Sequence, residues 1–202
     1  MSAGKILLIV LGGLIALALL IGLWGGGTYN RLVTLQQATD AQWAQVQNVY
    51  QRRADLVPNL VATVQGYAQQ EKSVLTAVTE ARARATAITV SPEQLDDPAK
   101  LRQLNQAQGE LSQALGRLLA VTENYPDLKS NANFLALQSQ LEGTENRIAI
   151  ARRDYNQAVQ TYNTRIRTFP DAIGAKIFYG AKPMATFEAT TPNAEKAPTV
   201  QF

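Results

Sequence analysis

Glu142, Glu145, Arg152 and Asn156 fall within one angular sector of a single amphipathic stretch, beside its apolar seam. Two carboxylates, a guanidinium and an amide on one helix face can do two kinds of work. They can line a polar groove for a ligand or partner, or fix the register of packed helices through hydrogen bonds and charge pairs. Glu71 also has chemical reach: it lies seven residues after Val64 and seven before Val78, in the core register of its own stretch. A carboxylate buried there needs a partner, and an arginine of the stretch carrying Arg152 is the expected one. Catalysis is poorly supplied. With no cysteine and no histidine, the chain lacks thiolate ligands, cysteine nucleophiles, the commonest general base and the commonest transition-metal ligand. Asp, Glu, Lys, Ser and Tyr remain, but no spacing among them argues for a reaction. The expectation is a protein that is not an enzyme, with no catalytic residue, cofactor or metal.

The elements that position these residues are helical. Phe134, Leu141, Ile148, Tyr155, Tyr162 and Phe169 recur every seven residues, with Leu137, Ala151, Ala158, Val159 and Ile166 between them. This spacing predicts one long helix with a continuous apolar seam, as in a bundle or coiled coil. Earlier stretches repeat the pattern: residues 32–55 on Leu32, Leu35, Trp43, Val46 and Tyr50, and residues 59–84 on Leu60, Val61, Val64, Tyr67, Val74, Leu75 and Val78. Pro58 between them favours a hairpin, because proline removes a backbone donor and turns Val57 from helical angles, although the apolar stripe passes through it in register and would also suit one kinked helix. Residues 86–97 form a linker holding Ser91-Pro92 and Asp97-Pro98, each a polar cap before proline. A third helix follows to about Thr122, and Asn124-Tyr125-Pro126-Asp127 predicts a tight interhelical turn. The expected fold is all-α: an antiparallel four-helix bundle over residues 28–188 and a disordered Thr/Pro/Ala-rich tail at 189–202.

Before the bundle, residues 6–24 form a run of 19 without a charged or polar side chain, apart from the indole N–H of Trp24. As a helix it spans about 28 Å, close to the hydrocarbon core of a bilayer. A cleaved signal peptide fits less well, since its apolar core is shorter and precedes a small-x-small triplet. Here Ala16-Leu17-Ala18 lies inside the run. Residues 1–27 are therefore expected to anchor the chain in a bilayer. Trp24 and Tyr29 would sit at headgroup level, and Gly25-Gly26-Gly27 would relax the link to the bundle. Gly12 with Ala16, and Ala18 with Gly22, are small-residue pairs suited to self-association.

The 19 Lys and Arg and 16 Asp and Glu are interspersed, without the concentrated positive charge of a nucleic-acid binder. Returning along the bundle, the chain brings Phe169, Ile173, Ile177, Phe178, Tyr179 and Phe187, with Lys176 and Lys182, back toward the anchor. Phe178 and Tyr179 are the candidate interface residues there. The positive charge of Lys5 and the amino terminus favours a cytoplasmic N-terminus and an extracytoplasmic bundle.

Several stretches also carry a family resemblance. Asn124-Tyr125-Pro126-Asp127-Leu128-Lys129 is followed by Phe134-Leu135-Ala136-Leu137-Gln138 and by Leu141-Glu142-Gly143-Thr144-Glu145-Asn146-Arg147-Ile148-Ala149. The pattern reaches back to Arg52-Arg53-Ala54-Asp55-Leu56-Val57-Pro58 and forward through Tyr162-Asn163 to Phe169-Pro170. The chain resembles the LemA family of bacterial single-pass membrane proteins. The resemblance implies an N-terminal membrane helix, a helical bundle and no established enzymatic activity. It would also place histidine at position 70, where this chain has Gln70. The expected function is a membrane-anchored scaffold or interaction protein of the bacterial cell envelope. Its partners would be the bilayer, unidentified proteins and further copies of itself. The alternatives are direct action on lipid, or service as an accessory subunit of a membrane protease or secretion system.

Overall fold

A computed structural model describes residues 3–188, so the expected tail at 189–202 lies outside the described residues. Four long helices carry the fold: α1 (Ala3–Gln65), α2 (Lys72–Ala87), α3 (Pro98–Thr122) and α5 (Ala132–Arg167). A short α4 (Pro126–Lys129) joins α3 to α5, and α6 (Asp171–Gly174) runs into a π turn at Ala175–Tyr179. No strand occurs among the described residues.

The helices run up, down, up and down. At the far end Val57, Leu60 and Val64 of α1 pack with Leu75 and Val78 of α2, Leu115 and Leu118 of α3, and Phe134 and Leu141 of α5. Halfway along, Trp43 and Val46 meet Val90, Leu101, Leu104, Ile148 and Tyr155. Nearest the apolar run, Leu32 packs with Tyr162, Ile166 and Ala175. The antiparallel bundle is therefore as expected. Along α1 the side chains buried on one face are Thr28, Leu32, Thr39, Trp43, Val46, Tyr50, Arg53, Val57, Leu60 and Val64, with Ala54 buried beside Arg53. Their steps of three and four residues, and one of seven from Leu32 to Thr39, make one seam, matched on α5 by Phe134, Leu141, Ile148, Tyr155, Tyr162 and Ile166.

Three sequence expectations change. First, Pro58 makes no hairpin: α1 runs through it to Gln65. The carbonyl of Ala54, left without its usual donor by Pro58, accepts instead from Arg82 Nε at 2.7 Å. The turn forms over residues 66–71, where Ala68 is fully buried and its amide bonds Val64 O at 2.8 Å. Second, the three glycines do not loosen the join, because α1 passes through them unbroken. Third, Phe169 leaves the seven-residue seam: α5 ends at Arg167 before Pro170, and Phe169 is 77% exposed.

Helix starts follow their caps. Asp97 Oδ1 accepts from Ala99 N at 2.9 Å and Lys100 N at 3.3 Å, with Pro98 at the first helical position. Asn131 Oδ1 accepts from Asn133 N at 2.9 Å and Phe134 N at 3.0 Å. Ser91 and Gln94 form a capping box in the linker.

Candidate functional site

The polar sector of α5 divides between two tasks. Glu145 faces α1 and accepts from Arg53 Nη1 at 2.7 Å. The Arg53 side chain is 2% exposed and its guanidinium also donates to Ser112 Oγ at 2.7 Å, Gln108 O at 3.2 Å and Gln108 Oε1. Gln108 passes the network on to Ala85 O at 3.3 Å, so one buried arginine ties α1, α3 and α5 together and reaches the end of α2. Arg53 was legible as a cation in the apolar register of α1, but its role was not.

Arg152 and Asn156, two and three turns further along the same sector, hold the chain's own C-terminal segment. After the π turn, Gly180 adopts a left-handed φ of 63°, which only glycine takes without strain, and the chain turns back along α5. Asn156 donates through Nδ2 to Phe187 O at 2.9 Å and accepts from Phe187 N at 2.8 Å. Asn163 does the same for Met184, at 2.8 and 2.9 Å. Tyr155 Oη donates to Ala185 O at 2.9 Å, and Arg152 Nη2 donates to Glu188 O at 3.1 Å. From the linker, Leu95 O accepts from Ala185 N at 2.8 Å. The Phe187 ring stacks on Trp43 with centroids 6.0 Å apart, meets Tyr155 edge-on at 5.5 Å, and lies under the Arg152 guanidinium at 4.6 Å. Phe187 thus belongs to this mid-bundle site and not to the group near the anchor, where the sequence had placed it.

The remaining sector residues stand apart. Glu142 is exposed and accepts only from Gln138 Nε2 on its own helix, at 3.0 Å. Glu71 has no arginine partner: it precedes α2 in the turn and accepts from Tyr125 Oη at 3.0 Å. Moving the break from Pro58 to residue 66 takes position 71 out of the helical register that implied burial.

Beside the end of the apolar run, residues 169–179 form a foot against α1. Gly174 lies so close that a Cβ there would meet Thr28 Cγ2 at 2.8 Å and Trp24 at 3.6 Å. Thr28 Oγ1 donates to Asp171 Oδ1 at 3.1 Å, and Asp171 also pairs with Arg165. Tyr179 meets the Tyr29 ring edge-on, centroids 5.4 Å apart, and donates to Gln36 Oε1. Phe178 closes over Gly25, where an added Cβ would lie only 3.3 Å from its ring. Phe169, Ile173, Ile177 and Phe178 nevertheless stay 46–77% exposed. Arg167 and Lys176 are exposed beside them.

Burial pushes the Tyr162 hydroxyl up to about 12, helped by the nearby Tyr179 and Asp40, and raises Tyr155 further still. Among the described residues no three His, Cys, Asp or Glu side chains gather as a metal site would need.

This arrangement of seam, foot and clamped segment can be set beside known proteins. The chain is 32% identical to Magnetosome protein MamQ 2 of Paramagnetospirillum magneticum, over 70% of this chain and 58% of that protein. Magnetosome protein MamQ of Magnetospirillum gryphiswaldense is 29% identical over the same shares, and Protein LemA of Metamycoplasma hominis is 25% identical over 71% and 61%. The chain thus spans about three fifths of the length of these relatives. The model of the LemA family matches residues 42–202, from the Trp43 level of α1 through α5 and the clamped segment. On that match, the chain belongs to the LemA family.

Proposed function

We propose that this membrane-associated helical protein is a single-pass scaffold of the bacterial cell envelope, holding a stiff bundle upright on the bilayer for proteins or further copies to dock. One observation carries the reading: the apolar run and the first arm of the bundle are the same helix, Ala3–Gln65, and residues 6–23 of it make no contact that buries them. A hinge between anchor and bundle is absent from the described residues, so the bundle inherits the tilt of the span. Residues 28–65 project about 57 Å along the helix. The foot supports the same reading, because its exposed Phe and Ile side chains with Arg167 and Lys176 match an apolar interface beneath anionic headgroups. The relatives' names describe no catalysis, and a non-catalytic role fits a chain without cysteine or histidine.

The test uses the full chain in vesicles, with single cysteines carrying a fluorophore at Ile177 or Lys129. Lipid-borne quenchers should quench Ile177 strongly and Lys129, at the far end of the bundle, not at all. Equal quenching at both sites overturns the upright bundle. The exposed foot also favours a second reading, direct action on lipid. If bilayer curvature or leakage changes with the wild-type chain and not with Ile173→Asp/Ile177→Asp, that second reading takes precedence. For orientation, an impermeant thiol reagent should label Ser73→Cys in intact cells; labelling only after lysis places the bundle in the cytoplasm.

A further inference from the structure

Residues 181–188 are read almost wholly through their main chain. Asn163 and Asn156, seven residues apart on α5, each take both the N–H and the C=O of one segment residue, Met184 and Phe187. Seven helical residues rise about 10.5 Å and three extended ones about 10 Å, so the two ladders are in step. Tyr155, Arg152 and Leu95 O add further main-chain bonds, and Phe187 supplies the one deeply buried side chain. This is a built groove for an extended peptide with a single aromatic anchor, and the peptide known to fit it is this chain's own.

We propose that the groove also takes the 181–188 segment of a second copy, so that neighbouring copies in one bilayer join by exchanging C-terminal segments. Every contact of the segment is reproduced when an identical segment arrives from another copy, the condition that makes exchange low in cost. The attachment suits it as well. Gly180, left-handed, follows a five-residue π turn, an uncommon helix form. Each of its residues drawn out to an extended form adds about 2 Å of reach. The proposal rests on the anchored-bundle reading, since copies held upright in one membrane present their grooves at one height and at high local concentration.

The chain has no cysteine, so single cysteines give unambiguous cross-links. Thr186 and Gln160 are exposed and line one surface depression beside the clamped segment. Full chains carrying Thr186→Cys and Gln160→Cys, with tags of different size, are reconstituted together in vesicles and oxidised. Exchange predicts a mixed disulfide dimer, lost when Asn163→Ala is added to the Gln160→Cys copy. Thr186→Cys paired with Ser73→Cys, at the far end of the bundle, should give only the collisional background. Flotation of the same vesicles is read in parallel. Chains that float but give no mixed dimer above that background overturn exchange and leave the anchor reading intact. Chains that do not float overturn the anchor. A double variant, Thr186→Cys/Gln160→Cys, that forms only monomeric disulfides at every vesicle loading shows the segment bound solely to its own chain and also overturns exchange.

Discussion

Arg82 Nε donates to the carbonyl of Ala54 at 2.7 Å, the oxygen that Pro58 deprives of its helical donor. One side chain from the second helix thus repairs the break that a proline opens in the first. The repair keeps α1 continuous and moves the turn to residues 66–71.

This pairing predicts a compensating mutant. Arg82→Ala strands a carbonyl on a buried residue and should cost about 1–2 kcal/mol. Pro58→Ala restores the N–H that Ala54 lacks, so Arg82→Ala made on that background should cost less than half as much. Thermal melting of the full chain in detergent micelles gives both numbers. Equal losses on the two backgrounds would show that Arg82 contributes only its packing.

The Arg53–Glu145 pair is unequal, and its mutants should be too. The Arg53 side chain is 2% exposed and that of Glu145 is 39%. Removing Glu145 leaves a cation in the core with no anion; removing Arg53 leaves a carboxylate that water can reach. Glu145→Ala should therefore cost about 3 kcal/mol, and Arg53→Met, which refills the volume, about 1–2 kcal/mol. Arg53→Met/Glu145→Ala should be more stable than Glu145→Ala alone. A double mutant weaker than either single one would contradict this order.

How much of this the sequence disclosed depends on whether a feature is written in side-chain spacing. The seam of α5 was legible because Phe134 to Tyr162 repeat every seven residues. The Asp97 and Ser91 caps were legible because polar residues precede proline. Pro58 misled because its remedy, Arg82, lies 24 residues further on, beyond any local pattern. Glu71 misled for the same reason, its register having been counted through a turn that falls at residue 66. Asn163 carried no visible signal as a clamp, since it reads the main chain of Met184, and main-chain recognition leaves no pattern in the segment it holds. The apolar residues of the foot could be listed from composition, but Phe187 belongs with Trp43, which only the turn at Gly180 reveals.

Tyr162 predicts how the fold responds to alkali. Its hydroxyl is ordinarily near 10 and burial raises it to about 12. Between those values the unfolded chain has given up the proton and the folded chain has kept it. The stability due to this group is therefore whole below about pH 10 and is lost as pH rises through about 12. Tyr155 acts in the same sense, and its ionisation also removes the bond to Ala185 O. Stability measured from pH 9 to 12 should fall less steeply in Tyr162→Phe than in the wild type. Parallel curves would show that the hydroxyl reaches water in the folded state.

Gly174 and Thr28 set how tightly the foot meets the anchor helix. A Cβ at 174 would come within 2.8 Å of Thr28 Cγ2, and Thr28 is a β-branched side chain with little freedom to turn aside. Gly174→Ala should cost about 1–3 kcal/mol, and the foot should move away from α1. Thr28→Ser keeps the hydroxyl that bonds Asp171 Oδ1 and deletes the methyl in conflict. Thr28→Ser/Gly174→Ala should therefore recover most of the loss, although each change alone is harmful or neutral. The measurement is the melting temperature in micelles together with the spin-label distance between Asn30 and Lys176. In Gly174→Ala the distance should lengthen, and in the double variant it should return. An unchanged distance in Gly174→Ala would mean that the foot is held by Tyr29, Gln36 and Asp171 alone, with the close approach at Gly174 incidental to it.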